Sequence, residues 1–376
     1  MSKQNSENET LVAWQQQRQR QQHRRCNGGA RVAFLGNSIQ YYNDCPRFLT
    51  NLSNGAISFQ DSCLRGGATL VSLWEKGNGM GCKFATKNAE MVVMTTKKKE
   101  DQDGKQFVGP VVNYDVGSPT VPDLLRCDNV KAIEFVDSSS VVAARKSDEE
   151  AGLPSRRVGS SSDQEVYYSN NNTQWDFVVM NDHTQGPARA NSREAHTKVL
   201  LEKYLPLILN NHATPIIIET HAYRYPGVNN SADLGNVHEF TGRVREGVQA
   251  YVEALLRSKL LPESIRPRVA PVGTAFLHIH DDNHEVWEGL FDPYDHFHPS
   301  PSGTFLQGCV LHWTIFGSPP PLPHTEEEIK DLWKDARVMH DVSNGDQEPP
   351  LPTVNDVAYL WNVATKICED MFHEKQ

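Results

Sequence analysis

The stretch "RVAFLGNSIQYYND", Arg31 to Asp44, decides the reading of the fold. Four apolar residues run from Val32 to Leu35 and end on Gly36, after which Asn37 and Ser38 interrupt the pattern. A short continuous apolar run bounded by turn residues fits a strand buried on both faces. On one reading Gly, Asn and Ser simply form a turn after that strand. A serine just past the end of a buried strand is also where an open parallel sheet presents reactive groups, in the crevice beyond the carboxyl ends of its strands.

The rest of the chain supplies the alternation that such a sheet requires. "AISFQDSCL", "WDFVVM", "TPIIIETHAY" and "RVAPVGTAF" read as further strands. Between them, "CPRFLTNLSNG" carries helical spacing and ends on Gly55 as a C-cap, and a short helix passes through Leu70, Leu73 and Trp74. "SREAHTKVLLEKYLPLILNNH" has Asn191 and Ser192 as candidate caps with Glu194 in its first turn, and "VHEFTGRVREGVQAYVEALLRSKLL" is amphipathic. Strands alternating with helices predict right-handed crossovers and a three-layer α/β/α sandwich. The expected sheet is parallel and flavodoxin-like, with about five strands.

Residues 1–29, rich in Gln and Arg, read as a disordered tail or an import or interaction arm. The main domain is expected over 30–320, with long insertions at about 97–172 in which "KAIEFV" is the clear strand. "GSPPPLPH" closes that domain, and 321–376 reads as a C-terminal helical extension.

The 376 residues carry a net charge of −10, which argues against nucleic acid as the main partner. No apolar run approaches the ~18 residues of a membrane span, and the first thirty residues lack the apolar core of a secretory signal. Seven scattered cysteines cannot form a complete disulfide framework within one chain. Together these predict a cytoplasmic or other intracellular protein.

A nucleophilic serine needs a base and oxyanion donors. "FDPYDHFHPSPSGTFL" places Asp295 three residues before His298, close enough to fold back on the imidazole and orient it, with Pro299 and Ser300 suiting the start of a helix. Gly66 and Gly67 in "CLRGGATL" follow a strand and allow close backbone approach. Asn181 and His183 in "VVMNDHTQG" emerge directly after another strand and are competing side-chain donors. The adjacent Tyr41 and Tyr42 read as a packed helix face, although one ring could line the cleft. His278 to Glu288, "HIHDDNHEVWE", invites a metal reading. Consecutive polar residues in a loop rarely converge on one ion, so neither a metal nor a cofactor is expected.

In this order the four segments resemble the blocks of the SGNH (GDSL-type) hydrolase family. "FLGNSIQYYND" is similar to its first block, with Asn37 where the family usually has Asp. "RGGAT" is similar to the second, and "DHFHPS" to the last. "NDHTQGP" departs from the usual Gly-x-Asn-Asp. The resemblance covers roughly Arg31 to Pro320. It implies an esterase in which Ser38 is the nucleophile, His298 the base and Asp295 its orienting acid. The Ser38 amide and Gly66 or Gly67 would then supply the oxyanion hole, with Asn181 or His183 as a further donor. The expected substrate is a small-molecule ester, a short acyl or acetyl ester of a polar or carbohydrate alcohol. The alternatives are a lipase or thioesterase of the same family, and a non-catalytic binding protein on the same scaffold.

Overall fold

The computed structural model describes residues 29–79, 120–126, 131–136, 155–161, 164–170, 174–334, 336, 338 and 349–373. The expected tail lies outside these residues apart from Gly29, as does much of the 97–172 insertion.

The strands, in chain order, are β1 (Ala30–Gly36), β2 (Ile57–Leu64), β3 (Lys131–Val136), β4 (Ser155–Ser161), β5 (Gln164–Asn170), β6 (Phe177–Met180), β7 (Thr214–Ile218) and β8 (Arg268–Ala270). Five of them form an all-parallel sheet in the order β2-β1-β6-β7-β8. Counted along the chain this is the flavodoxin-like arrangement, with the reversal of strand order at β1 and β6. The insertion contributes a separate antiparallel sheet, β3-β5-β4, so it holds two strands beyond "KAIEFV".

The apolar residues of the central strands alternate between two cores, which is why their sequences read as continuous apolar runs. Val32, Phe34, Val179, Ile216 and Ile218 point into one layer, shared with the helices Cys45–Leu52, Val272–Asp282, Pro301–Phe316 and Val354–His373. Ala33, Leu35, Val178, Met180 and Ile217 point into the other, shared with Leu70–Lys76, Leu205–Asn210 and Val237–Arg257. These are the two outer layers of the α/β/α sandwich. Ile329, Val357, Leu360 and Ile367, all beyond residue 320, are buried in the first of these cores.

Several boundaries differ from the sequence reading. The Cys45–Leu52 helix ends on Ser53, and Gly55 sits two residues later in the turn at φ +83°. After β6 a short helix, Gln185–Ala188, precedes the expected one, which starts at Ala190, so Asn191 and Ser192 lie inside its first turn. There the Ser192 hydroxyl donates to the carbonyls of Gly186 and Arg189. "RVAPVGTAF" is strand only to Ala270, because Pro271 caps a helix that begins at Val272. That helix runs to Asp282 and is followed by His284–Glu288, so the expected polar loop at 278–288 is helical. Among the described residues no helix is long and apolar enough to cross a membrane.

Candidate active site

β1 lies between β2 and β6, and its carboxyl end carries Ser38 to the rim of the sheet. Gly36 is required there by crowding, since a Cβ would overlap the side chains of Asn181 and Gln40. Asn37 then caps a single helical turn, Ser38–Tyr41, accepting from the Ile39 amide at 3.1 Å. Its amide nitrogen donates to the Ala68 carbonyl at 2.9 Å, a bond that an ionised aspartate could not make. The Asn37 side chain therefore ties the end of β1 to the glycine turn after β2. Ser38 itself is 8% exposed.

The glycine turn is exposed and leads into the Leu70–Lys76 helix, which is closed by a Thr69–Ser72 capping box. Gly67 has φ +62° and open space where a Cβ would stand, whereas Gly66 lies under Tyr41, whose hydroxyl is 3.0 Å from that position. Of the two, Gly67 has the freer approach.

At the end of β6, Asn181 is fully engaged. Its Nδ2 donates to Asn37 Oδ1 at 2.8 Å and to the Asp182 carbonyl at 3.0 Å. Its Oδ1 accepts from Gln40 Nε2 at 2.7 Å and from the Asn37 amide at 3.3 Å. Both amide protons are thus committed within the frame. Asp182, buried, accepts from the Leu70 and His183 amides, from the Tyr251 hydroxyl at 2.9 Å, and pairs with His196 Nδ1 at 2.5 Å. It fixes the start of the Leu70–Lys76 helix relative to His183. The imidazole of His183 is half-buried. Desolvation lowers its pKa, with the charge of Asp182 pulling the other way, and Arg189 and His196 lowering it further. Burial and its basic neighbours favour the neutral ring at this position, just past the end of β6.

Asp295 and His298 meet as their spacing suggests. His298 Nδ1 is 2.6 Å from Asp295 Oδ2, and Asp295 Oδ1 accepts the amides of His298 at 2.9 Å and Phe297 at 3.0 Å. Burial pushes the Asp295 carboxyl up, but the hydrogen bonds and charge of His298 and the two amides outweigh it, leaving the group below its ordinary value. The loop closes on itself through a Phe291–Pro299 bridge and an Asp292 amide bond to the His298 carbonyl at 2.8 Å. Ser300 caps the next helix with Pro301 in its first turn, so Pro299 and Ser300 do mark a helix start.

Contacts from Tyr42, Asn43 and Gln307 bring this loop and the helix after it to the Ser38 segment. Tyr42, at the end of the Ser38 turn, stacks flat on the His298 ring with centroids 4.1 Å apart and planes 7° apart. Asn43 Nδ2 donates to the Pro299 carbonyl at 2.8 Å and to Thr304 Oγ1 at 2.9 Å. Gln307 Nε2 donates to the Ile39 carbonyl at 3.2 Å. The second imidazole nitrogen of His298, Nε2, is buried without a hydrogen-bond partner among the described residues.

Two positions in this arrangement, Asp292 and His221, escaped the sequence reading. Tyr42, read with Tyr41 as a packed helix face with one ring able to line the cleft, instead follows the helical turn and covers His298. Asp292 accepts the Tyr294 amide at 2.9 Å, the Asp295 amide at 3.4 Å and the Tyr42 hydroxyl at 3.3 Å, so it organises the loop. Its spacing, Asp292-x-x-Asp295-x-x-His298, was the available signal. His221, three residues beyond β7, holds the Phe297 carbonyl through Nε2 at 2.9 Å.

No protein-family model matches the sequence, and no curated protein matches it. Among solved structures, the chain is similar to one described as "a putative SGNH hydrolase from Slackia heliotrinireducens". The likeness has 20% identity and a TM-score of 0.40, and covers 76% of this chain and 99% of that one. A likeness of this degree carries no weight for function. The fold rests on the sheet described above.

Proposed function

We propose that the protein is a serine ester hydrolase of SGNH type, with Ser38 as nucleophile, His298 as general base and Asp295 as the group that orients it. The observation that carries this reading is the state of His298. One ring nitrogen is held by Asp295 at 2.6 Å, the other has no partner among the described residues, and the ring lies against Tyr42 at the end of the Ser38 turn.

In this reaction His298 Nε2 takes the proton of the Ser38 hydroxyl as its oxygen attacks the ester carbonyl. Asp295 fixes the tautomer and stabilises the imidazolium. The Ser38 and Gly67 amides receive the developing oxyanion. His183 is favoured over Asn181 as the side-chain donor, because both Asn181 amide protons are already bonded. His298 then protonates the departing alcohol, and activates the water that releases the acyl group. These steps balance without a cofactor. A short acyl or acetyl ester of a polar or carbohydrate alcohol is the proposed substrate.

The test is labelling by a serine-directed fluorophosphonate together with turnover of p-nitrophenyl acetate. Wild-type protein should do both, and Ser38→Ala should do neither while melting at an unchanged temperature. Undiminished turnover by Ser38→Ala overturns the assignment, and a wild-type chain inert in both assays favours a binding protein on this scaffold.

A further inference from the structure

The helical folding of residues 278–288 changes what those histidines can do. On a helix, neighbouring residues point about 100° apart, so most of this polar run faces away from any single point. His280 and Asp281, at the end of the Val272–Asp282 helix, are the exception, because a third residue from another element meets them. It is His238, in the first turn of Val237–Arg257.

Two imidazoles converge on one carboxylate oxygen of Asp281. His238 Nε2 lies 2.9 Å from Asp281 Oδ1, and His280 Nδ1 lies 2.7 Å from the same atom. One ligand atom from each residue falls within 4.8 Å of the others. The two imidazoles stand nearly perpendicular, at 84° with centroids 5.3 Å apart, so their nitrogens approach the carboxylate from different directions. His284 neighbours His280, with centroids 5.1 Å apart, and is stacked on Trp287.

We propose that His238, His280 and Asp281 form a binding site for a divalent transition metal of the zinc class, bridging the Val237–Arg257 and Val272–Asp282 helices. Two imidazoles and one carboxylate suit zinc and its neighbours and are poorly matched to calcium or magnesium, which take oxygen ligands. Zinc bonds of roughly 2.0–2.2 Å in a tetrahedron set ligand atoms ~3.3 Å apart. The present 2.7 and 2.9 Å N···O separations would widen by about half an ångström, and the two ring nitrogens, within 4.8 Å of each other, would settle at the same spacing. The side chains can yield, since those of His238 and Asp281 are more than half exposed, and water can complete the coordination. The same helix end is tied to the Val354–His373 helix, where the Tyr359 hydroxyl donates to Asp282 at 2.7 Å. A bound ion would thus pin together helices already in contact at this corner. None of the three residues belongs to the proposed Ser38 machinery, so the site stands or falls independently of it.

The experiment uses full-length protein stripped with a chelator and titrated with zinc chloride, read by calorimetry and by thermal melting. Wild type should bind one Zn²⁺ at micromolar Kd, and its Tm should rise by about 5 °C at a hundredfold excess over Kd. Co²⁺ in place of Zn²⁺ should give visible d–d absorption. His238→Ala and His280→Ala should each weaken Zn²⁺ binding at least tenfold and remove the Tm rise. Metal-free His238→Ala should melt as wild type does, because its side chain is 55% exposed. Should His280→Ala fold poorly, His238→Ala and Asp281→Asn carry the test. Absence of a zinc-dependent Tm rise in wild type overturns the proposal. So does zinc affinity that is unchanged in His238→Ala.

Discussion

Replacing His221 by Gln should remove a specific part of the protein's sensitivity to acid. The His221 side chain is fully buried, stacked on Phe276 at 4.3 Å and edge-on to Phe291 at 5.5 Å, with Nε2 on the Phe297 carbonyl. Burial lowers its pKa from 6.5 to about 4, partly offset by the bond to Phe297, with the charge of His298 lowering it further and that of Asp295 raising it. The fold therefore favours the neutral ring. Between pH 6.5 and about 4 the unfolded chain takes up a proton that the native state refuses, so stability falls as pH falls through that window.

The full gap corresponds to about 3 kcal/mol at ~1.4 kcal/mol per pKa unit. Of this, roughly 2 kcal/mol is lost between about pH 7 and pH 4.5. Gln can still donate to the Phe297 carbonyl but does not titrate. Urea unfolding of both proteins across this range is the assay, and the quantity read is the difference between their slopes, in which the carboxylates common to both cancel. The variant should lose about 2 kcal/mol less than wild type on acidification. Equal losses in the two proteins would refute the reasoning, because His221 would then be no more buried from protons in the native state than in the unfolded one.

Three further outcomes follow from other contacts. Tyr42→Phe keeps the ring on His298 and loses only a 3.3 Å bond to Asp292, so it should cost about 1 kcal/mol or less, whereas Tyr42→Ala should lower kcat of ester turnover with little change in KM. Asp295→Asn should reduce kcat by about 10⁴ in the same assay, and should also flatten the stability loss that the depressed Asp295 pKa produces in wild type as pH drops below 3.8. Gly247→Ala should lower stability by roughly 1–3 kcal/mol in urea melts, because a Cβ there would overlap the Pro187 carbonyl, which is backbone and cannot swing aside.

What the sequence disclosed was local in range. Strands such as Val32–Leu35 and Ile216–Ile218 are apolar on consecutive residues because both faces are covered, and that signal needs no knowledge of partners. The Asp295–His298 contact spans three residues and is written in the spacing itself. "PVGTAF" was misread as strand because short apolar runs do not declare their period, and Pro271 was a helix start rather than a strand interior. The remaining features depend on residues far apart in the chain. Asn37 and Asn181 are separated by 144 positions, Tyr42 and Asp292 by 250, and no local pattern distinguishes such a pairing from chance. His238 likewise gave no sign of its neighbours, because its partners sit on another helix.

Besides the exposed histidines on Asp281, a histidine–aspartate pair lies in the interior, and comparing it with the one at the rim separates chemistry from support. His196 and Asp182 are 2.5 Å apart, and His298 and Asp295 are 2.6 Å apart, so distance alone does not choose between them. Their surroundings do. The His196 and Asp182 side chains are 7% and 2% exposed, and the Asp182 carboxylate also accepts two backbone amides and the Tyr251 hydroxyl. Such a carboxylate is saturated and sealed, and what it controls is the position of Leu70 and His183. The His298 and Asp295 side chains are 12% and 26% exposed, and the outer nitrogen of His298 is left without a partner. In the proposed reaction the interior pair therefore holds the oxyanion edge in register, while the rim pair moves the proton. Removing Asp182 should then disturb both the glycine turn and His183 together, which is how a positioning residue differs from one that meets the substrate.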